Sequence, residues 1–556
     1  MKVLLNVNPS NFRYRYRYLL YWLIGLFQVG LLFSCKPSFL EENLMNETDI
    51  ELLFRTKEGF ETYIVSLHEG ARQEHTRSSS TQWASAMNAG TDIGITGSTI
   101  ETNWKNYETW LTPTRAFVDN YWQWAYRIML VRANTVIHYA EDPDRADLWD
   151  DEAERNRVIA EARFFRAYTH NLLANLYGGV PVVETYYTTP KTDFVRSTRE
   201  EVYESARRDL EFASEWLPST VPVNQEGRIV KAAADHLLTE VYVSLGLYDE
   251  AIESASRVID SELYQLMTER FGKHLDEPGD AFSDLFKSGN QNRSSGNRES
   301  IYVWQFEDVT QGGLGSTGNW NWRMWGPFYI HLTDPDGRSG MILADSLSRG
   351  VAFVRPTTYF LYDLWKDDWT NDIRNSPHNI KRVHYYNNPS SAYFGQVVEK
   401  KSTLIDTMQN IYPLIRKVEG PPPVANPRNG RTTNDIMVYR LAETYLLRAE
   451  AYFRNGNAAK AADDINAVRA RARAHLISAS DVNLDYILDE RGRELIVEEP
   501  RRRTLTRMGK LVERSRKYSD YESTKSSIED YHEFFPIPQR EIDANSGTLE
   551  QTIGYF

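Results

Sequence analysis

One cysteine, Cys35, is all the thiol that 556 residues contain. A disulfide framework is excluded, so stability has to come from packed cores, which a chain this long can bury. Positive charge is scarce as well: 64 Lys and Arg stand against 77 Asp and Glu, a net charge of −13. Nucleic-acid binders displace counterions with clustered cations, and this balance argues against that class. It argues equally against an electrostatic hold on anionic lipid. Catalytic signatures are missing too: there is no HExxH, GxSxG or Walker loop, and no thiol besides Cys35 to act as a nucleophile. Asp334-Pro335-Asp336-Gly337 has too few oxygen ligands at the right spacing for calcium and reads as an Asp-rich turn. Paired carboxylates are plentiful, but the separation that defines a glycosidase pair is a spatial property. The expectation is a protein that is not an enzyme and has no cofactor or metal.

What the chain has in plenty is flat side chains, with 14 Trp and 33 Tyr in an aromatic content of 13%. Many must be core. Exposed ones bind sugars or peptides without charge, because they offer large apolar area at low entropy cost.

The N-terminus carries Arg13, Arg15 and Arg17, an apolar run of about 15 residues from Leu19 to Phe33, and Leu32-Phe33-Ser34-Cys35. A basic flank, an apolar stretch and small residues are the parts of a secretory signal, and the run is short of the ~20 residues of a membrane span. The ending resembles the lipobox of bacterial lipoproteins, in which the cysteine is diacylated and the signal removed before it. Residues 1–34 are accordingly expected to be a signal peptide, with lipidation at Cys35. The alternatives are an uncleaved anchor or a buried free cysteine in a membrane helix. Losing Lys2 and the three arginines leaves 60 basic residues against 77 acidic, about −17. A lipid anchor alone would hold such a body to the membrane.

The remaining chain, 35–556, shows strong helical periodicity at both ends and little in the middle. Glu152 to Tyr177 repeats Ile159, Ala162, Phe165, Tyr168 and Leu172 at helical steps and stops at Gly178-Gly179 before Pro181. Leu238, Tyr242, Gly246, Tyr248 and Ala251 share their offsets with Tyr445, Ala449, Tyr452, Gly456 and Ala461. Those offsets are similar to a tetratricopeptide repeat, in which small residues admit a neighbouring helix and the glycine turns the chain. An ordinary helical bundle would use the same periods. The fold class is mainly α, with a helical scaffold over about 40–265 and 436–515. A loop-rich insertion over about 266–435, where Gly, Pro, Asn and Ser rise, is where a binding face would sit.

Four stretches together resemble the SusD/RagB family of outer-membrane lipoproteins. They are Cys35 with Phe39-Leu40-Glu41; Ala160 to Tyr168 ending in Leu176-Tyr177-Gly178-Gly179-Val180-Pro181; Leu441 to Ala451 running into Asp489 to Leu495; and Phe535 to Ile542 with Gly554-Tyr555. They span the mature chain in the family's order. Two segments depart from it: Pro500-Arg501-Arg502-Arg503, and the last residues, which lack Asn-Pro before Gly554. The resemblance implies four tetratricopeptide-like helical pairs with a loop-built ligand face. It implies a lipid-anchored protein of the outer membrane, facing outward, that captures a nutrient and lids a SusC-like TonB-dependent transporter. Most relatives bind glycans and some serve peptides, so an oligosaccharide ligand is expected and a peptide is the alternative. A pure protein-interaction scaffold and a glycoside hydrolase are the rival classes.

Within the insertion, Trp320, Trp322 and Trp325 with Asn319, Asn321, Arg323 and Tyr329 form the densest aromatic and polar cluster, directly after the Gly312 to Gly318 loop. In an extended segment Trp320 and Trp322 would share a face, a platform for sugar rings, with Asn and Arg bonding hydroxyls. The competing reading is that these tryptophans plug the interface between loops and scaffold. Trp83, in a second loop-like stretch with Asn88, Asp92 and Thr96, is the next candidate for ligand contact, with Asp92 beside it. Trp104, Tyr107 and Trp110 read as packing. Glu490, Arg491, Arg493 and Glu494 read as a salt-bridged structural network.

Overall fold

The computed structural model describes residues 50–76, 85–98, 103–310, 312–313, 318–343, 348–424 and 426–555. Cys35, the signal segment and Trp83 lie outside them. The chain divides into a unit ending at Arg55, with one short described helix at Ile50–Leu53, and a unit from Thr56 onward that carries everything below.

The scaffold begins with α1 (Lys57–Thr76), α2 (Ala116–Trp124), a π-helical turn over Ala125–Leu130, α3 (Val131–Ala140) and α4 (Glu152–Tyr177). It continues with α5 (Arg199–Trp216), α6 (Lys231–Leu245) and α7 (Tyr248–Ile259). Helix α4 starts at Asp151, whose carboxylate accepts the Glu154 N–H at 2.8 Å, and ends at Gly178. Helix α5 opens with a capping box between Thr198 and Glu201. Neighbouring helices pack in sequence, α4 on α5, α5 on α6 and α6 on α7.

After the insertion come α9 (Leu441–Arg454), α10 (Ala458–Arg471), α11 (Leu484–Leu495), α12 (Arg501–Arg507) and α13 (Leu511–Tyr518). The short helix α8 lies inside the insertion at Asn321–Trp325. Helix α9 packs on α7 and α10, joining the two ends of the chain in one scaffold. Ala442, Ala449, Ala461 and Ala462 are buried with Leu446, Ile465 and Val468 between α9 and α10, so small residues do set the approach of these helices. Gly246 closes α6 at φ +77° and Gly456 separates α9 from α10 at φ +79°. Both sit at the expected turns, in a backbone region that a Cβ disfavours.

The insertion has little regular structure among the described residues. Three two-stranded antiparallel sheets occur: β1 (Gly94–Ile95) with β3 (Arg355–Pro356), β2 (Ser300–Trp304) with β6 (Ile436–Arg440), and β4 (Ile380–Lys381) with β5 (Leu414–Ile415). The β2–β6 pair matches Val303 to Met437 and Trp304 to Ile436. It ties the strand entering the loops to the strand leaving them for α9. Asp334 forms a tight turn, accepting the Arg338 N–H at 2.9 Å and the Ser391 hydroxyl at 2.6 Å.

A buried ionic network locks the insertion to the scaffold. Arg374 meets Asp372 at 2.6 Å, Glu490 at 2.8 Å and Glu494 at 2.9 Å; Arg471 meets Glu299 at 3.0 Å; Arg469 meets Glu490 at 2.9 Å. Burial opposes ionisation of Glu490, but Arg374, Arg493 and Arg469 outweigh it and hold the carboxyl at about 2. A carboxyl held that low cannot be the proton donor a glycosidase needs. Arg491 meets Glu443 and Glu499, both at 2.5 Å, and Arg493 meets Glu490 at 3.0 Å, so the structural reading of Glu490, Arg491, Arg493 and Glu494 stands.

Candidate functional site

The segment after the glycine-rich loop is helical rather than extended, and this changes what its tryptophans do. Asn319 forms a β-bridge with Thr432, donating its N–H at 2.8 Å and accepting the Thr432 N–H at 3.0 Å. Its side-chain oxygen then takes the Asn321 N–H at 2.9 Å, which starts α8. Helical steps place Trp322 and Trp325 on one face. That face is core, with 2% and 1% of each exposed, so neither offers a ring to a ligand. The expectation of a platform shared by Trp320 and Trp322 is corrected: Trp320 precedes α8 while Trp322 lies on its buried face, so no extended segment aligns them.

Trp320 precedes the helix and is 8% exposed. Two guanidiniums lie near its ring, that of Arg431 at 4.1 Å and that of Arg323 at 5.4 Å from the centroid. Arg323 also donates to the Asn429 carbonyl at 2.7 Å. Trp320 is thus a base that positions arginines, at about 0.5–2 kcal/mol for each such contact. A third, Arg349, sits 5.4 Å from the Phe328 ring centre. An added Cβ at Gly430 would strike the Arg349 carbonyl oxygen and meet Arg323 Cβ at 3.2 Å, so the chain segments carrying the three arginines touch.

Unmatched polar atoms concentrate here. Trp320 Nε1, Asn321 Oδ1, Arg323 Nε, Arg349 Nε, Thr432 Oγ1 and Asn434 Oδ1 are buried without a hydrogen-bond partner. Native proteins pair nearly all such groups, and a cluster of exceptions marks a place where polar groups await a partner. The glycine-rich loop also reaches the scaffold: Arg72 of α1 donates to Gln305 O at 2.6 Å and to Gly312 O at 2.9 Å. Beside it, a cavity of about 270 Å³ is lined by His68, Arg72, Arg228, Trp304 and Gln305.

Asp92 does not face a ligand. It is fully buried, with Oδ1 taking Arg501 Nε at 2.9 Å and Oδ2 taking Arg501 Nη2 and Arg514 Nε, both at 2.7 Å. This corrects its reading as a contact residue; its role is to clamp the loop before β1 to α12 and α13. Arg502 does similar work, donating to Ala86 O at 2.6 Å and Ala89 O at 2.7 Å. The Arg501-Arg502-Arg503 departure from the family pattern is therefore a buried fastener. Trp104 and Tyr107 are core, as expected.

Sequence reasoning missed Arg349, Arg431 and Asn429: the Asn319–Thr432 bridge brings the last two to Trp320, and the Val351 N–H bond to the Arg323 carbonyl at 3.0 Å brings the segment of Arg349. It also missed Tyr362 and Trp369, both 44% exposed, whose rings lie 6.3 Å apart and 11° from parallel.

A profile described as "SusD family" matches residues 354–555, and one described as "Starch-binding associating with outer membrane" matches 38–243. The chain is 26% identical to SusD-like protein P2 of Formosa agariphila, over 78% of this chain and 76% of that protein. It is 27% identical to the starch-binding protein SusD of Bacteroides thetaiotaomicron, over 73% and 74%. Among solved structures, a laminarin-binding SusD-like protein aligns with TM-score 0.67 at 23% identity, covering 90% of this chain and all of that one. Surface glycan-binding protein A of B. thetaiotaomicron, in complex with laminarihexaose, aligns with TM-score 0.66 at 21% identity, over 89% and 99%. Those structures share the fold.

Proposed function

This chain belongs to the SusD/RagB family, and from that premise we propose that it is a non-enzymatic surface lipoprotein that binds an oligosaccharide. It hands the sugar to a partner TonB-dependent transporter of the outer membrane. The observation that carries the binding site is the cluster of unmatched buried polar atoms around Trp320, Arg323 and Arg349. Oligosaccharides present many hydroxyls, and a face with several fixed donors and acceptors can orient them. Asn319 and Arg323 belong to this face with Trp320 as its base, and Trp83 is proposed as a further ligand contact. Among the described residues no helix is long and apolar enough to cross a membrane; the proposed attachment through lipid on Cys35 rests on the Leu32-Phe33-Ser34-Cys35 ending.

Two experiments test this reading. A glycan array probed with the purified mature protein should return oligosaccharide ligands; a blank array together with tight binding of peptides would move the assignment to the peptide-binding alternative. Replacing Cys35 with Ala should release the protein from the membrane fraction. An unmodified Cys35 mass in membrane-bound wild type would remove the anchor.

A further inference from the structure

Buried arginines of this chain are mostly matched to carboxylates: Arg166 to Asp209, Arg374 to Asp372, Arg440 to Glu299, Arg501 to Asp92, Arg507 to Glu450. Others, such as Arg502, spend donors on backbone carbonyls. The loop site breaks this pattern. Arg323 gives one bond to a carbonyl and has its Nε buried and unmatched. Among the described residues Arg349 donates no hydrogen bond and meets no carboxylate, and its Nε is also buried.

Like charges gathered in a half-buried place repel one another and cost stability unless something compensates. Burial, and then the neighbouring Arg349, push the Arg323 guanidinium below its ordinary value. The chain carries an excess of acidic residues, −13 overall, yet places none of the described carboxylates against Arg323 or Arg349. A guanidinium recognises planar or tetrahedral oxyanions through paired N–H donors.

We infer that Arg323 and Arg349 together select an acidic oligosaccharide, one bearing carboxylate or sulfate groups on its sugars. This deepens the glycan-binding reading above and rests on it. The stacking expectation from sequence implied binding indifferent to salt; arginine recognition implies the reverse, since partly exposed ion pairs are screened as salt rises.

The test is calorimetry on the full mature protein with three probes of similar length: laminarihexaose as the neutral arm, an oligogalacturonate as the carboxylate arm, and a carrageenan oligosaccharide as the sulfate arm. One acidic arm should bind at least about tenfold more tightly than the neutral arm, the scale of a charge-assisted pair. That affinity should fall as salt rises, and the better acidic arm identifies the anion. Arg349→Gln, with an unchanged melting temperature, should lose most of the preference while keeping residual binding. The salt dependence of the wild type tests the same point without any variant. Equal or tighter binding of laminarihexaose, indifferent to salt, overturns the acidic selectivity and leaves glycan binding standing. Failure of all three probes, together with a blank glycan array, overturns both.

Discussion

Replacing Asp92 with Asn separates a structural aspartate from a ligand contact, and the structure sets the size of the effect. Asp92 is fully buried and takes three charge-assisted bonds of 2.7–2.9 Å from Arg501 and Arg514. Asn keeps the shape but removes the charge and turns an amide toward one guanidinium. Breaking one partner of a buried ion cluster costs about 3–5 kcal/mol, because the remaining charges stay buried and unmatched. Acid offers a second route to the same loss. Burial alone would raise this carboxyl, yet the two arginines hold it at about 2, against 3.8 for a free one. A depressed carboxyl stabilises the fold above its unfolded value, and that contribution, roughly 2 kcal/mol, disappears as pH falls from 3.8 toward 2. Urea unfolding of both proteins should therefore show a gap that is widest at neutral pH and narrows below pH 4. Folded Asp92→Asn protein should bind glycan as the wild type does. A variant as stable as wild type but impaired in binding would refute the structural assignment.

Three further outcomes follow from packing. Trp325→Ala should cost about 3–5 kcal/mol of unfolding free energy, the range for emptying a buried tryptophan site, measured as a lower urea midpoint; a change below 1 kcal/mol would mean the side chain is not core. Trp369→Ala, at an exposed ring with the Arg382 guanidinium 4.7 Å from its centre, should cost about 0.5–2 kcal/mol of stability and leave glycan affinity unchanged. A tenfold affinity loss there would move the site to the Tyr362–Trp369 pair. Gly456→Ala meets open space but a φ of +79°, so its cost should be only the backbone strain of about 1–2 kcal/mol, read from thermal melts.

The scaffold was legible because its signals are local. Helix α4 announces itself by periodicity and stops at Gly178, and the turns at Gly246 and Gly456 need only their own neighbours to be recognised. The role of Glu490 and Glu494 was legible for a similar reason, since alternating charges on one helix read as ion pairs. The loop site was not. Whether Asn319 to Trp325 runs extended or helical depends on the bridge to Thr432, which no local pattern reveals. Asp92 reads as a ligand contact and Arg501 as a local departure from the family pattern until the fold brings them together. Arg349 and Arg431 stand in separate loops, and only the Gly430 contact shows that they form one cluster.

The most direct measurement of the central claim is a side-by-side glycan array of the wild type and Arg323→Gln, with melting temperatures recorded for both. Arg323 touches Trp320 and Asn429 but no scaffold carboxylate, so the variant should stay folded. The expected result is at least one oligosaccharide retained by the wild type and weakened about tenfold or more in the variant, the scale of one charge-assisted hydrogen bond. Equal retention of the same glycans by both folded proteins would contradict the placement of the site on this face.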